Sequence, residues 1–126
     1  MTLNKKTVFA GLLTAVPALM ILASGIMKLV GGPDIEKVLA EVGVPHLRLA
    51  LGAMELLFTA LFLFPQTMKL GLLLLTSYFA GAIATDLSHG RSPVAPILIL
   101  TLVWVAAFVR DRSAFLTVST PAAGAQ

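Results

Sequence analysis

The sequence contains no cysteine, and charged side chains make up only 12% of its 126 residues. Without cysteine, the chain itself offers no disulfide exchange, thiolate nucleophile, iron–sulfur cluster or cysteine-based zinc site. About a quarter of the residues of a soluble domain are usually charged. So few charges cannot cover the surface of a small globule, whose surface is large relative to its volume. The composition therefore excludes a soluble enzyme or a nucleic-acid-binding module and indicates that most of the chain lies in lipid.

Apolar residues are abundant instead, since 58% of the chain is hydrophobic and its mean hydropathy is +0.96. They are concentrated in four segments, residues 8–30, 47–64, 70–87 and 94–109. Each segment is close to the roughly 20 residues that a helix needs to cross a hydrocarbon core of about 30 Å. Because lipid cannot satisfy backbone polar groups, these segments are predicted to be helices. The predicted fold is an all-α membrane protein with a four-helix transmembrane bundle as a single domain over residues 1–112. A flexible tail is predicted over residues 113–126.

The connection between the first and second segments has helix signals of its own. Pro33 can begin a helix, acidic residues follow it, and Gly43 with Pro45 can end it. Its apolar residues recur at i, i+3, i+4 and i+7, as Ile35, Val38, Leu39 and Val42. This pattern predicts a short amphipathic helix between transmembrane helices 1 and 2. We expect it to lie on the membrane surface or across the mouth of the bundle.

The distribution of basic residues predicts the orientation of the chain. Those near one end of the spans are Lys5, Lys6, Lys69, Arg110 and Arg112, and those near the other are Lys28, Lys37, Arg48 and Arg91. Because basic residues favour the cytoplasmic side, we expect a multi-pass protein of the plasma (inner) membrane with both termini cytoplasmic. In so apolar a chain, the net charge of +3 indicates topology, and no nucleic-acid partner is expected.

The first segment also has features of a cleaved signal peptide. Lys5 and Lys6 precede the apolar run, and small residues lie within residues 22–25. Against cleavage, the run is long and contains Pro17. We therefore interpret the segment as a transmembrane helix.

Glu55 is a charged residue where lipid should exclude charge, about eight positions into the second segment. A carboxylate near the bilayer centre costs on the order of 2.5–3.5 kcal/mol, so it must be protonated, paired or beside a wet cavity. Lys28 is the expected partner, and it shares a helix face with Ser24 at spacing i, i+4; the alternative is that Lys28 extends to the headgroups. Glu55 is thus either half of an ion pair that orients the helices or a carboxylate that carries a proton or binds a ligand.

The third segment adds polar residues at the same end of the bundle. Tyr78 and Asp86 lie two helical turns apart on one face, with Thr85 beside them. A phenol within a span usually has a hydrogen-bond partner or a ligand. The candidate ligand-binding residues are therefore Ser24, Lys28, Glu55, Tyr78, Thr85 and Asp86. A polar cluster open to one side favours a binding pocket over a channel.

Catalytic and metal-binding motifs are not evident in the sequence. His46 and His89 lie in connections, and we interpret them as solvated loop residues rather than ligands of a metal or a haem. We expect no metal site. No nucleophile–base pair, phosphate loop or cofactor fingerprint is apparent, so no catalytic residue and no enzyme class can be assigned.

Several short motifs follow one another along the chain, namely residues 24–29 (SGIMKL), 52–56 (GAMEL), 64–67 (FPQT), 70–71 (LG), Tyr78 and 81–85 (GAIAT). In their order and spacing they resemble the DoxX-like family of small four-helix membrane proteins. Each is weak alone, and the resemblance spans residues 8–112. The family pattern often has a histidine directly after the Ala-Thr pair, where this chain has Asp86. A role that depends on that histidine is therefore not expected here.

The resemblance implies a membrane location and only a coarse function. The family takes its name from membrane subunits associated with thiosulfate:quinone oxidoreduction, and some relatives resemble partners in redox or detoxification complexes. Distant eukaryotic relatives resemble assembly chaperones for membrane receptors. We favour an accessory, assembly or structural subunit with a polar pocket around Lys28 and Glu55 in its outer half. The alternative is a subunit of a membrane redox complex that binds a quinone or another lipophile, with Glu55 exchanging a proton. Quinone is the one cofactor suggested. The expected partners are the lipid bilayer and either another membrane protein or a second copy of the chain.

Overall fold

The structure, a computed structural model, describes residues 4–117, and helices make up most of this part of the chain. The helices are α1 (Lys5–Val30), α2 (Pro33–Glu41), α3 (Arg48–Leu63), α4 (Met68–Ser88) and α5 (Val94–Arg110). Two short 3-10 helices cover Pro45–Leu47 and Arg112–Ala114. No strand occurs in residues 4–117. The all-α prediction is confirmed, with helix ends within three residues of the predicted segments.

The four long helices have the apolar character that a membrane requires. Three stretches, Lys5–Val30, Pro45–Leu63 and Met68–Ser88, are long and apolar enough to cross a bilayer. The fourth, α5, is apolar and has 17 residues, the lower limit for a span. The predicted amphipathic helix is α2, which begins at Pro33 with acidic residues in its first turn. The bundle therefore has the predicted four apolar helices and one short polar connection helix.

The long helices pack in a closed ring in which α1 and α4 each contact both α3 and α5. One end of the bundle, here called the α2 end, comprises the end of α1, α2, the start of α3, the end of α4 and the start of α5. The opposite end comprises the start of α1, the end of α3, the start of α4 and the end of α5. The side chains of Ile21, Phe62, Leu75 and Val103 are fully buried in the core between the helices.

Glycines allow close approach at two helix contacts. A Cβ on Gly52 of α3 would lie 2.9 Å from the carbonyl oxygen of Gly25 on α1, closer than real Cβ atoms come. A Cβ on Gly71 of α4 would collide with the backbone of Phe62 on α3. These helix pairs are therefore held at distances that only glycine permits.

Two arginines satisfy backbone carbonyls at the ends of neighbouring helices. The last carbonyls of a helix have no partner within it, which is costly in an apolar environment. Arg48 donates to the carbonyl oxygens of Lys28 and, at 3.2 Å, Leu29 at the end of α1. Arg110 donates to the carbonyl oxygens of Phe62 and Leu63 at 2.7 and 2.9 Å, at the end of α3. Arg48 thus ties α3 to α1 at the α2 end, and Arg110 ties α5 to α3 at the opposite end.

The segment after α5 turns back onto the bundle. The Phe115 ring lies 5.6 Å from the ring of Trp104 and 6.2 Å from that of Phe108, measured between centroids. Trp104 also donates to Thr76 Oγ1 at 3.0 Å. Most of the tail predicted over residues 113–126, from residue 118 onward, lies outside the described residues.

Candidate functional site

A cavity of about 520 Å³ opens at the α2 end of the bundle. All five helices contribute to its lining. The six residues singled out from the sequence all line it, namely Ser24, Lys28, Glu55, Tyr78, Thr85 and Asp86. The fold thus brings together residues from three helices that are up to 62 positions apart in sequence (86 − 24). Their role in binding a ligand stays a prediction.

Four of these side chains form one hydrogen-bonded cluster, here called the Glu55 cluster: Ser24, Lys28, Glu55 and Tyr78. The Lys28 ammonium pairs with Glu55 Oε1 at 3.0 Å and donates to Ser24 Oγ at 2.7 Å. The Tyr78 hydroxyl donates to the same Oε1 atom at 2.6 Å. The expected pairing of Lys28 with Glu55 is therefore present and links α1 to α3. The hydrogen bond from Tyr78 adds α4 to the cluster.

Glu55 is almost fully enclosed, with a side chain only 3% exposed. Its Oε1 atom accepts two hydrogen bonds, whereas Oε2 is buried and has no partner among the described residues. A buried acceptor without a donor costs about 1–3 kcal/mol. Half of the carboxylate therefore has hydrogen-bonding capacity that the described side chains do not use.

The local sequence explains why the cluster forms. Ser24 and Lys28 lie one helical turn apart, so both point toward α3. The pair sits beside Gly52, where a Cβ would come within 3.0 Å of the Cβ of Lys28. Because Gly25 and Gly52 let α1 and α3 approach closely, the lysine can reach a carboxylate inside the bundle. Arg48 holds the backbone of the same turn by donating to the carbonyl of Lys28.

Thr85 and Asp86 line the cavity about 12 Å farther along α4 than Tyr78, toward the α2 end. The Thr85 hydroxyl donates to the carbonyl oxygen of Gly81 at 2.7 Å. Asp86 Oδ1 lies 3.7 Å from Arg91 Nε, and Arg91 also pairs with Glu41 at the end of α2. Asp86 therefore belongs to a second ion-pair network at the cavity mouth rather than to the Glu55 cluster.

The remaining walls of the cavity are mostly apolar. Leu39 and Val42 line it from the α2 side, and Leu51, Phe79 and Ile99 line it from the long helices. Leu39 and Val42 are buried, so the apolar stripe of α2 faces the bundle, across its mouth. The cavity therefore combines a small polar cluster with apolar walls, as expected for a site that takes an amphiphilic molecule.

The structure also places polar residues at or near the cavity that the sequence did not single out. Arg91 and Glu41 form their ion pair across 50 positions of sequence, and nothing in the local pattern signals that contact. Thr59 lies one turn after Glu55 on α3, is fully buried, and its hydroxyl has no partner among residues 4–117. For α2, the amphipathic stripe predicted a position on the membrane surface or across the mouth of the bundle, but not the ion pair of Glu41.

The two histidines lie at the α2 end but do not form a ligand set. His89 Nδ1 is 2.9 Å from the carbonyl oxygen of Thr85, and its ring lies beside Gly43. His46 lies in the 3-10 helix Pro45–Leu47 and does not line the cavity. Within residues 4–117, no group of three or more His, Asp or Glu side chains is placed to hold a metal ion.

Comparison with known families gives one match. The model of the DoxX-like family matches residues 12–108, from the second turn of α1 almost to the end of α5. The matched region contains every residue of the Glu55 cluster and both residues of the Arg91–Glu41 pair. No curated protein and no solved structure matches the chain.

Proposed function

The chain belongs to the DoxX-like family of membrane proteins, and we propose that it is an accessory membrane subunit that binds a lipophilic molecule in the cavity at the α2 end. The observation that carries this proposal is that Oε2 of the buried Glu55 carboxylate has no hydrogen-bond donor among the described residues. Glu55 lines a cavity whose other walls are mostly apolar. A ligand head group that donates a hydrogen bond would complete the partners of that carboxylate.

The dimensions of the cavity suit a ligand. Small-molecule sites usually have volumes of about 300–1,000 Å³ and are largely apolar with a few convergent polar groups. The cavity has about 520 Å³ and one compact polar cluster. Apolar walls would bind the body of the molecule, and the Glu55 cluster would orient its head group.

The hydrogen-bonding inventory of the cluster indicates the chemistry of that head group. Glu55 offers one unused acceptor oxygen, and the terminal torsion of a glutamate is soft enough to turn it toward the cavity. The Lys28 ammonium has three donors, of which Ser24 and Glu55 take two. The cluster therefore suits a neutral polar head group that both donates and accepts one hydrogen bond.

A quinone-type ligand is the form of this proposal that the family resemblance favours. The carbonyl oxygen of a quinone could accept from Lys28, and the hydroxyl of the reduced quinol could donate to Glu55. In the second case the exchangeable proton of the ligand lies against a carboxylate. Glu55 would then exchange that proton.

A structural or assembly role is the second candidate function, favoured by the position of the ion pair between α1 and α3. If Lys28 and Glu55 only hold these helices together, exchanging their charges should preserve both fold and function. The test is Lys28→Glu combined with Glu55→Lys. A folded double variant that does not complement a deletion strain speaks for ligand binding, and full complementation speaks for the structural role.

Native mass spectrometry of the protein in mild detergent tests the ligand proposal. The wild-type protein should retain one lipophilic molecule, either co-purified or after incubation with a quinone or its quinol. Ala82→Phe fills the cavity lining and should abolish this retention. Leu73→Phe on the same helix is the matched control, since Leu73 is 62% exposed and does not line the cavity. Equal retention by both variants, or no retention by the wild type, would contradict the proposal.

The proposed orientation places both termini in the cytoplasm of a plasma (inner) membrane. The end of the bundle at which α1 begins and α5 ends carries Lys5, Lys6, Lys69, Arg110 and Arg112. The cavity would then open toward the outer side. Ser92→Cys in the α4–α5 connection and Gln66→Cys in the α3–α4 connection give two single thiols at opposite ends. An impermeant thiol reagent applied outside should label only the first, and labelling of only the second would reverse the orientation.

A further inference from the structure

We propose that α2 is a lid over the cavity, held closed by the ion pair between Glu41 and Arg91. The proposal rests on the proposed function, since it concerns access of a ligand to the same cavity. Three independent features of the structure support it: how α2 is joined to the bundle, how loosely it packs, and how it is fastened.

Both junctions of α2 contain glycine in a conformation that other residues rarely adopt. Gly31 and Gly32 precede the helix with φ of 82° and 128°, and Gly43 follows it with φ of 78°. Glycine has the widest range of backbone conformations, and hinges use a few loop residues that absorb φ and ψ changes. The helix is therefore bounded on both sides by positions at which its direction can change.

The packing of α2 is light compared with that of the long helices. Its principal backbone contacts are with the 3-10 helix Pro45–Leu47, which belongs to the same connection. Within the helix, Leu39 is its one buried residue. Elements with few buried apolar contacts open at low free energy. The helix can thus move away without disrupting the ring of four long helices.

An ion pair holds the C-terminal end of α2 against the other side of the cavity mouth. Glu41, the last residue of the helix, pairs with Arg91 in the α4–α5 connection. Arg91 is held in turn by Asp86, whose carbonyl oxygen accepts from the Arg91 backbone N–H at 2.8 Å. Both paired side chains are more than one-third exposed, at 36% and 43%, so the pair is in reach of water and can break.

The lid would control entry from the side of the membrane at which α2 lies. In the closed position, Leu39 and Val42 form part of the cavity lining. Opening would expose the Glu55 cluster to that side, and closing would surround the head group with apolar side chains. A closed cavity strengthens the polar contacts at the cluster, since water no longer competes for them.

Thiol accessibility tests the lid without requiring any ligand. Because the chain has no cysteine, Ala82→Cys places a single thiol in the cavity lining. In this background, Glu41→Gln should raise the rate of modification by a charged methanethiosulfonate reagent about fivefold. Loss of an exposed ion pair whose strength lies at the upper end of the usual range would raise the population of the open state by this factor. Arg91→Gln should give a similar increase.

The control is Lys37→Gln, which also removes one charge from α2. Lys37 is in no ion pair within residues 4–117, so this variant should leave the rate unchanged. Glu41→Gln leaves the contact between Arg91 and Asp86 intact, and it therefore separates lid opening from disorder of the α4–α5 connection. Equal rates for Glu41→Gln and Lys37→Gln would overturn the lid, even if the cavity binds quinol. A raised rate in a protein that binds no lipophile would support the lid and contradict the proposed function.

Discussion

The Tyr78 hydroxyl donates a hydrogen bond of 2.6 Å to Glu55 Oε1 and so links α4 to α3 inside the bundle. Lys28 donates to the same oxygen from α1, while the second carboxylate oxygen has no donor among the described residues. Within the described part of the chain, the Glu55 carboxylate therefore has hydrogen-bond donors at Oε1 but not at Oε2. The proposed binding role depends on this second oxygen, which is free to accept a hydrogen bond from a ligand.

Removal of the tyrosine hydroxyl tests this contact. Tyr78→Phe should lower the free energy of unfolding by about 1.5–3 kcal/mol, since hydrogen bonds to charged groups are stronger than neutral ones. Ser77→Ala is the matched control, because the Ser77 hydroxyl donates only to the backbone of its own helix at Leu73. Thermal unfolding of the two purified variants in one detergent measures the difference. Equal stabilities would mean that the hydroxyl contributes nothing to the cluster.

The ion pair should show strong coupling between its two members. Lys28→Met leaves an unpaired carboxylate in the bundle, and loss of one partner of a buried pair costs about 3–5 kcal/mol. Adding Glu55→Gln should restore part of that loss, because the double variant buries no net charge. Lys69→Met, an exposed lysine at the opposite end, should have little effect. Additive losses in the double variant would show that the two side chains do not interact.

The close contact of α1 with α3 should make Gly52 intolerant of a side chain. Gly52→Ala brings a methyl group within 2.9 Å of the Gly25 carbonyl oxygen, and forced overpacking typically costs about 1–3 kcal/mol. Gly11→Ala is the matched control, since a Cβ there has no heavy atom within 4 Å. That change should stabilise α1 slightly, by the higher helix propensity of alanine. Both effects can be read from melting temperatures, and a neutral Gly52→Ala would mean that the helices are farther apart.

Arginine should be needed at position 110 for its geometry as well as its charge. Arg110 donates from two nitrogens to the carbonyl oxygens of Phe62 and Leu63, and its guanidinium lies 5.0 Å from the Phe62 ring centroid. Lysine cannot reproduce this fork. Arg110→Lys should therefore lower the free energy of unfolding by about 1–2 kcal/mol. Arg112→Lys, which changes an exposed guanidinium, should cost much less, and a reversed order would contradict the role of Arg110.

The fold could be predicted from the sequence because lipid imposes a simple rule on the backbone. Long apolar segments must be helices, and their ends are marked by charges, Gly and Pro. The stripe of Ile35, Val38, Leu39 and Val42 likewise predicted the amphipathic helix α2. These features depend on residues close together in sequence.

The sequence could single out residues that line the cavity, but only some of the contacts among them. Glu55 and Lys28 stood out because each lies where charge is costly, and helical spacing added Ser24 to Lys28 and Asp86 to Tyr78. The sequence could not show that Glu41 pairs with Arg91, because that contact depends on how the α1–α3 connection lies relative to the α4–α5 connection. It could not show that Asp86 contacts Arg91 either, because the path of the chain after α4 decides that contact. A small residue such as Gly25 likewise does not reveal that its partner is Gly52.

In the proposed function, Glu55 accepts a hydrogen bond from the head group of a lipophilic ligand in the cavity. The most direct measurement is the affinity of the purified protein for a long-chain 4-alkylphenol and for its methyl ether, in which a methyl group replaces the hydroxyl hydrogen and removes the hydrogen-bond donor. The wild-type protein should bind the phenol about 10–100-fold more tightly, the range expected for a hydrogen bond to a charged acceptor. Glu55→Gln should lose most of this preference. Equal affinities of the wild type for the two molecules would show that Glu55 does not accept a hydrogen bond from the ligand, and would contradict the proposed function.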